Sequence, residues 1–368
     1  MSKTNEARLD NLFQVMSTEL SIQDSGEPAV KRMLMRMRKR AQYTRPNLEE
    51  EGFSKFLRIN EAVGKTTIRL DSRLIADAKM FLENILWRFN TRLDPLNIQE
   101  TLDRTYLMSL WRFGPGASNE VKGTHTAEKI YESMTCTSTA EPLVTTLRSN
   151  NFYFSAFDAK NENRGTRVVR GSKLTTVPKN EDSVRIIAIE PSGNMALQLA
   201  AGQYLTDVLQ SIGLDISTQQ AKNKQLAYEG SLSNGLATID LSSASDMFSP
   251  ELIRLIYPPK WYELFMKIRS PYTMIKGVEH KLNMMSTMGN GFTFPMMTLT
   301  IVCLIYAMRA SKKGPTLYVS WRETAVFGDD IILPVSEYED FCRILSEAGL
   351  VVNHDKSYAD GPFRESCG

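Results

Sequence analysis

The chain has 368 residues, 42% of them hydrophobic, which suits about two or three domains or one large enzyme-sized unit. A formal net charge of only +2 argues against a strongly basic coat but leaves room for local basic patches. Four cysteines and three histidines are scattered without a CxxC pair, which argues against a structural zinc site and favours free thiols in a reducing compartment.

The first part of the chain, residues 1 to about 110, is predicted to be mostly helical. Within it, RLIADAKMFLENILWRFN carries apolar residues at three-and-four spacing, the pattern of an amphipathic helix. The segment VKRMLMRMRKRAQYTR, residues 30–45, favours a solvated helix with a methionine stripe, and an RNA-contacting arm is the alternative. The polar start MSKTNEARLDNLFQ lacks the apolar stretch of a signal peptide.

Short strands and helices alternate after Trp111, beginning with the turn cluster FGPGAS. TRVVRGSKLTTVPK, SVRIIAIEP and GLATIDL are predicted as strands, and PSGNMALQLAAGQYLTDVLQ as a turn followed by an apolar helix. SPELIRLI predicts a helix that Ser249 caps, with Pro250 at its first position and Glu251 near the positive end of its dipole. The expected fold class is therefore α+β.

The apolar segment FTFPMMTLTIVCLIYAM, residues 292–308, is about as long as a membrane-spanning helix. It contains a proline and three threonines and lies between two polar segments. These features favour a buried helix of a large domain over a membrane span.

Two adjacent acids, Asp329 and Asp330, interrupt the apolar stretch ETAVFGDDIILP. Both flanks are strand-like, and Gly328 with Asp329 supplies residue types that a tight hairpin turn prefers. The acids are therefore expected at the tip of a buried hairpin. A solvent-facing turn, where aspartate is common, is the alternative.

Another acid, Asp240, ends the predicted strand in LATIDLSSASD, and Asp246 follows a run of small hydroxyl residues. Carboxylates at the ends of two strands of one sheet can converge, and at about 4 Å each pair then repels by roughly 4 kcal/mol. Such a cluster has to be protonated or neutralised by cations. Magnesium suits an all-oxygen site that keeps water and phosphate oxygens, and two ions would serve a phosphoryl displacement.

The segment MMSTMGNGFTF is rich in small and polar residues and leads into the long apolar helix. Backbone can approach a ligand at Gly289, and Ser286, Asn290 and Thr293 offer hydrogen bonds to ribose or backbone. A plain loop at the start of the helix is the alternative.

Three cations, Lys173, Lys179 and Arg185, lie along the strand-like segment KLTTVPKNEDSVRIIAIEP. Together they could neutralise a triphosphate. A solvated strand edge explains any one of them taken singly.

These segments, in this order, resemble the motifs of viral RNA-dependent RNA polymerases. More narrowly, they resemble the replicase catalytic subunit of single-stranded RNA bacteriophages, the levivirus type. The similar texts span roughly residues 111–368: FGPGAS, VPKNEDSVRIIAIEPSGNMALQL, AYEGSLSNGLATIDLSSASD, STMGNGFTF, VFGDDIILP and DKSYADGPFRESCG.

The resemblance implies an RNA-directed RNA polymerase with two Mg²⁺ ions, or Mn²⁺ in their place. Asp240 and Asp329 would be shared metal ligands, with Asp330 as the neighbouring ligand. Lys356, in NHDKSY, resembles a lysine that protonates leaving pyrophosphate, and a plain surface lysine is the alternative.

The same resemblance assigns roles to residues already singled out. Lys179 and Arg185 would meet the incoming triphosphate, and the Gly289 loop would seat template and nucleotide. Many polymerases place the ribose-sensing acid five residues after the first ligand, whereas that position here is Ser245 and the acid is Asp246.

The implied architecture is a right-hand polymerase with interleaved fingers and palm. Fingers are expected at 111–230 and at the insertion 256–285, and palm at 231–255 and 286–368, after the helix-rich region 1–110. Family members continue into a thumb, so an end at FRESCG predicts that the thumb is missing or truncated.

The implied partners are a single-stranded RNA template and ribonucleoside triphosphates, with the host elongation factors Tu and Ts recruited by related replicases. The expected location is the bacterial cytoplasm, without a membrane. Two alternatives stay open: a non-catalytic RNA-binding remnant, and a reverse transcriptase, whose paired acids usually follow an aromatic and a variable residue rather than FG.

Overall fold

The structure, a computed structural model, describes residues 47–96, 100–121, 125–152, 154, 165–180, 183–314 and 319–367. The basic segment at 30–45, with both of its interpretations, lies outside the described residues.

Within the described residues, the elements before residue 134 are all helices, and short strands occur among helices after it, so the helix-rich start and the later mixture are both as predicted. The helices are α1 Leu48–Lys65, α2 Ser72–Leu93, α3 Arg104–Ser109, α4 Thr126–Tyr131, α5 Glu141–Ser149, α6 Ser192–Ser211, α7 Ile216–Ser233, α8 Ala244–Met247, α9 Pro250–Ile256, α10 Pro259–Ile268, α11 Thr293–Lys313 and α12 Tyr338–Glu347. The strands are β1 Met134–Thr137, β2 Thr166–Val169, β3 Gly171–Asn180, β4 Ser183–Ile189, β5 Leu236–Ile239, β6 Tyr272–Ile275, β7 Val278–Lys281, β8 Ala325–Phe327 and β9 Asp330–Pro334. Short 3₁₀ turns follow at Val335–Glu337 and His354–Lys356.

The strands form three small sheets in the described residues. β1 and β2 pair in parallel, and a four-stranded sheet has the order β4-β3-β6-β7. The third sheet has the order β5-β9-β8 and is antiparallel throughout. This third sheet carries both segments in which the sequence places catalytic acids.

Local sequence signals explain several of these elements. Helix α9 begins as predicted, with Pro250 in its first turn and the Leu252 amide donating to the Ser249 hydroxyl at 3.1 Å. The amphipathic pattern of residues 73–90 forms most of α2, capped by the side chain of Asp71. The run TRVVRGSKLTTVPK, in contrast, divides between β2 and β3, which join different sheets.

Helix α11 is the core helix of the molecule. Its apolar window has a mean hydropathy of 1.4, enough to cross a membrane by length and composition, yet 89% of that window is buried inside the protein. It packs against α2, where the rings of Phe81 and Tyr306 stack with centroids 4.1 Å apart. The preferred interpretation, a buried helix, is therefore confirmed.

Helix α1 packs on the outer face of β4 and forms a smaller core that includes Phe53 and Phe56. Asn60 anchors its last turns, because its amide donates to the Lys281 carbonyl at 2.8 Å and its oxygen accepts the Asn283 amide at 2.7 Å. These contacts bring the N-terminal helix against the sheet that carries Lys179 and Arg185.

Candidate active site

The third sheet ends in a cleft of about 830 Å³ lined by Asp240, Asp329 and Asp330. In the β5–β9 register Ile239 faces Ile331, so the next two positions, Asp240 and Asp330, are neighbours where the strands reach the cleft. The antiparallel pairing thus brings together acids that are about ninety residues apart in the sequence.

The acids Asp329 and Asp330 lie on the β8–β9 hairpin, as predicted from the sequence. Phe327 faces Asp330 across the turn, so Gly328 and Asp329 are its two central residues. Gly328 has a φ of +63°, which the first position of the primed hairpin turns requires. Its amide also donates to the Thr298 hydroxyl of α11 at 3.1 Å, which ties the turn to the core helix.

Repulsion and burial disturb the ionisation of this cluster. Burial, followed by the neighbouring charges of Asp330 and Asp240, raises the pKa of Asp329 to about 6. Burial also raises the pKa of Asp330, although the Cys367 amide opposes this by donating to its carboxylate. The charge of Asp240 therefore acts on Asp329, as expected if the two side chains converge.

Residues near the chain's end hold the first acid in place. The Asn353 side-chain amide donates to Asp240 Oδ1 at 2.8 Å, and the Asn353 backbone amide donates to the Asp240 carbonyl, also at 2.8 Å. The Asp240 amide in turn donates to the Ser357 hydroxyl at 3.1 Å. Sequence reasoning missed Asn353 and Ser357, although both lie beside Lys356 in a segment it had singled out.

Asp246 lies in α8 on the same cleft, six residues after Asp240. Its carboxylate accepts a long hydrogen bond of 3.4 Å from the Met288 amide, and burial raises its pKa to about 7 despite the nearby charge of Lys55. Ser245, the fifth residue after Asp240, lines the cleft as well. Both Ser245 and Asp246 therefore border the same cleft.

The glycine-rich loop forms another part of the wall. Gly289 has a φ of +105°, and a Cβ there would lie 2.3 Å from the Ala188 carbonyl oxygen, so this position accepts only glycine without a shift. Asn290 and Thr293 also line the cleft. Ser286 is buried, with 4% of its surface exposed, and it is not among the residues that line the cleft.

Hydrogen bonds within the glycine-rich loop fix its shape. Asn290 Oδ1 accepts the Phe292 amide at 3.0 Å, and the Thr293 hydroxyl donates to the Thr287 carbonyl at 2.8 Å. The loop thus leads directly into the first turn of α11, as the sequence predicted.

Four cations line the cleft together with the acids: Lys55, Lys179, Arg185 and Lys356. Burial, and then the charges of Lys356, Arg185 and Lys55, lower the pKa of Lys179. Cations that repel one another in this way give the cleft a local positive potential, which suits a polyanion. Lys55, from α1, was missed because the first hundred residues show no motif.

Lys173 has a different position. It is exposed on β3, its ammonium donates to the Asn119 carbonyl at 3.1 Å, and it is not among the residues lining the cleft.

The carboxylates fit a divalent cation, although within the described residues no three metal-ligating side chains already enclose one. Asp329 is half-buried beside two other carboxylates, and this crowding of negative charge is what a bound cation would offset. Magnesium commonly binds through one or two carboxylates and completes its shell with water and phosphate oxygens. Asp240 and Asp329, with Asp330 beside them, offer this donor set.

The fold is that of viral RNA-dependent RNA polymerases. The crystal structure of the RNA-dependent RNA polymerase of a human picorbirnavirus aligns with a TM-score of 0.55 over 94% of this chain and 66% of that one, at 13% identity. An insertion loop deletion mutant of that enzyme gives 0.54 over 95% and 68%, at 14% identity. The expected α+β polymerase fold is therefore confirmed.

The family follows from the sequence comparisons. The model of the RNA replicase, beta-chain family matches residues 98–368, and the chain belongs to this family. The RNA-directed RNA polymerase subunit beta of Escherichia virus Qbeta is 37% identical over 260 residues, 70% of this chain and 42% of the relative. The beta chain of Enterobacteria phage GA is 40% identical over 207 residues, 56% and 38% of the two chains. The predicted resemblance to the replicases of RNA phages is confirmed, and the matches span less than half the length of these relatives.

Proposed function

We propose that this chain carries the catalytic centre of an RNA-directed RNA polymerase that copies single-stranded phage RNA. The observation that carries the proposal is the meeting of Asp240 and Asp329 at the end of the β5–β9–β8 sheet, in a cleft that four cations also line. Membership of the replicase family supports it.

The reaction is template-directed nucleotidyl transfer. The 3′-hydroxyl of the growing RNA attacks the α-phosphorus of a ribonucleoside triphosphate, a phosphodiester bond forms, and the bond to the bridging oxygen breaks to release pyrophosphate. Enzymes lower this barrier mainly by alignment and by stabilising charge in the transition state. The cleft of about 830 Å³ has the size of a substrate pocket.

Asp240 and Asp329 are the proposed metal ligands, with Asp330 as their neighbour and Mg²⁺ or Mn²⁺ as the ion. When bound, the two ions of such a site neutralise charge on the attacking and leaving oxygens. Asn353 restricts the Asp240 carboxylate through its hydrogen bond to Oδ1, which holds that ligand in one orientation.

Lys179 and Arg185 are proposed to bind the triphosphate, and Lys356 to give a proton to the pyrophosphate as it leaves. All three line the cleft, and the charges of Lys356 and Arg185 act on Lys179. Asp246 and Asn290 lie on the wall formed with the glycine-rich loop and are proposed to contact the ribose.

The domain assignment follows the same proposal. Residues 231–255 and 286–368 would form the palm, residues 111–230 and 256–285 the fingers, and residues 1–110 the helix-rich N-terminal region. Family membership further suggests an RNA template, ribonucleotide substrates, host factors such as Tu and Ts, and action in the bacterial cytoplasm.

The first prediction tests the acids. Asp329→Asn should reduce magnesium-dependent incorporation of ribonucleotides by at least about 100-fold, because it removes one carboxylate charge from the proposed ligand set. The measurement is incorporation of labelled ribonucleotides on a single-stranded RNA template. Asp94→Asn, at an exposed acid that ends α2, is the matched control and should keep wild-type activity.

The assay also separates the alternative functions. If Asp329→Asn made as much RNA as the wild type, the catalytic assignment would fail. Preferential use of deoxyribonucleotides would indicate a reverse transcriptase. If the wild type made no RNA but bound it with an affinity that fell as salt rose, the non-catalytic alternative would stand.

A further inference from the structure

A buried amide in α7 connects to the catalytic hairpin. Asn223 is 0% exposed, and its side-chain amide donates to the Ser366 hydroxyl at 3.0 Å and to the Asp330 carbonyl at 3.2 Å. Its own oxygen accepts a hydrogen bond of 3.1 Å from the amide of Gln219, one turn earlier in the helix. Both polar ends of Asn223 are therefore fixed inside the protein.

The hydrogen bonds continue from Asn223 to the second acid of the pair. The Ser366 hydroxyl, which accepts from Asn223, donates to Asp330 Oδ1 at 3.3 Å, and the Cys367 amide donates to the same oxygen at 2.9 Å. Gln219 donates to Asn223, Asn223 to Ser366, and Ser366 to Asp330 Oδ1. The hydrogen bonds therefore all run in the same direction, from Gln219 to the Asp330 carboxylate.

A buried arginine holds the segment that delivers these donors. The Arg364 guanidinium is 6% exposed and donates to the backbone carbonyls of Leu236, Ala359 and Gly361 at 2.5 to 2.8 Å. The segment after Arg364 is thereby fixed to the start of β5, and it passes the start of β9 at Asp330.

We propose that Asn223 is a positioning residue that orients the Asp330 carboxylate, through Ser366, for divalent metal binding. Asp330 lies beside two other carboxylates, and without a fixed donor it would be driven to turn away from them. Both hydrogen bonds end on Oδ1, which sets the rotation of the carboxylate and leaves Oδ2 outside this pair. The inference rests on the proposed function and adds to it a support that is remote from the substrates.

The experiment measures metal binding rather than activity alone. Binding of Mn²⁺ to the full chain, without RNA or nucleotide, is followed by the loss of the free-ion signal in electron paramagnetic resonance. Ser366→Ala and Asn223→Leu should each weaken Mn²⁺ binding by about 10- to 100-fold, the usual effect of removing a group that orients a metal ligand. Ser366→Thr keeps a hydroxyl and should recover most of the lost affinity.

A control on the same helix separates this role from helix stability. Gln225 lies on the exposed side of α7, where its amide donates to Glu229, and Gln225→Leu should bind Mn²⁺ like the wild type. The midpoint of thermal unfolding is recorded for every variant. Should Asn223→Leu fail to fold, Ser366→Ala, which removes a single oxygen, decides the question.

Each result bears on one proposal. If Ser366→Ala bound Mn²⁺ with wild-type affinity while its unfolding midpoint fell, Asn223 and Ser366 would be structural only and the inference would be wrong. Asp329→Asn is titrated in parallel: if it too bound Mn²⁺ like the wild type, or if the wild type bound none, the metal site of the proposed function would itself fail. Loss of Mn²⁺ binding in Asp329→Asn alone would overturn only the role of Asn223.

Discussion

Glu190, which follows β4, is a carboxyl group in the core with only 1% of its surface exposed. Burial raises its pKa from 4.5 to about 6, although the Ser270 hydroxyl donates to its Oε2 at 2.5 Å and the nearby charge of Arg269 opposes the shift. Because the folded carboxyl keeps its proton at a pH where the unfolded one has lost it, Glu190 makes folding less favourable as pH rises from about 4.5 to 6.

The size of this effect gives the second prediction. A pKa difference of about 1.5, at about 1.36 kcal/mol per pKa unit, corresponds to roughly 2 kcal/mol in total, lost progressively as pH rises from below 4.5 through 6 and nearly complete by about pH 7. Glu190→Gln cannot ionise, so its free energy of unfolding should fall less than that of the wild type, by roughly this amount, across the same range. Urea denaturation at pH 4.5, 5.3 and 7 measures the difference.

Exposed Glu263, on α10, provides the control for that series. Glu263→Gln removes a carboxyl group at the surface rather than in the core, and should follow the wild-type pH dependence. The prediction fails if Glu190→Gln and the wild type lose the same free energy between pH 4.5 and 7.

At the scale of single elements, two hairpins each turn through a glycine with a positive φ but differ in the packing around that glycine. Gly328 turns β8 into β9 with a φ of +63°, and Gly277 turns β6 into β7 with a φ of +86°. A Cβ on Gly277 would meet nothing within 4 Å, whereas a Cβ on Gly328 would lie 2.5 Å from the ring of Phe294 and 3.0 Å from the Met297 methyl group.

The third prediction compares alanine at these two turns. Gly277→Ala should lose only the strain of a left-handed residue, about 1 to 2 kcal/mol. Gly328→Ala should lose about 1 to 3 kcal/mol more, because overpacking forces neighbouring side chains out of place. It should also reduce polymerase activity by moving Asp329. Urea denaturation and RNA synthesis check both effects, and equal losses of stability in the two variants would show that the contacts of Gly328 are unimportant.

Sequence patterns predict some of the strands and turns but not which strands pair with each other. Apolar runs flanking GDD predicted the β8–β9 turn correctly, since strand alternation and turn residues are local signals. The run TRVVRGSKLTTVPK gave no such sign of its division, because β2 pairs with β1 and β3 with β4 and β6. These partners are set by packing between distant segments, which no local pattern records.

At the scale of the whole molecule, the acids were predictable and their supports were not. Asp240 directly follows β5, and Asp329 lies in the turn between β8 and β9. Their residue types and these positions identify them as candidate site residues. Asn223, Asn353 and Ser366 act through hydrogen bonds between segments more than a hundred residues apart. An asparagine in a helix looks alike whether it faces water or fixes a carboxylate, so only the tertiary structure separates these cases.

Helix α1 shows the same limit on a larger scale, because its sequence carries no motif and yet it contributes Lys55 to the cleft. The charge of Lys55 lowers the pKa of both Lys179 and Asp246, so it lies near the proposed triphosphate and ribose contacts. Helix α1, which packs on β4, therefore adds one of the four cations that line the cleft with the acids.

The fourth prediction follows from this arrangement. Lys55→Ala should raise the KM for ribonucleotides about fivefold, the effect of about 1 kcal/mol that an exposed cation contributes to binding a polyanion. Arg58→Ala, at an exposed cation on α1 that is not among the residues lining the cleft, should leave KM unchanged. Steady-state incorporation at several ionic strengths measures both, and the difference should shrink as salt screens the charge. If both variants raised KM equally, the general charge of α1 rather than the position of Lys55 would govern nucleotide binding.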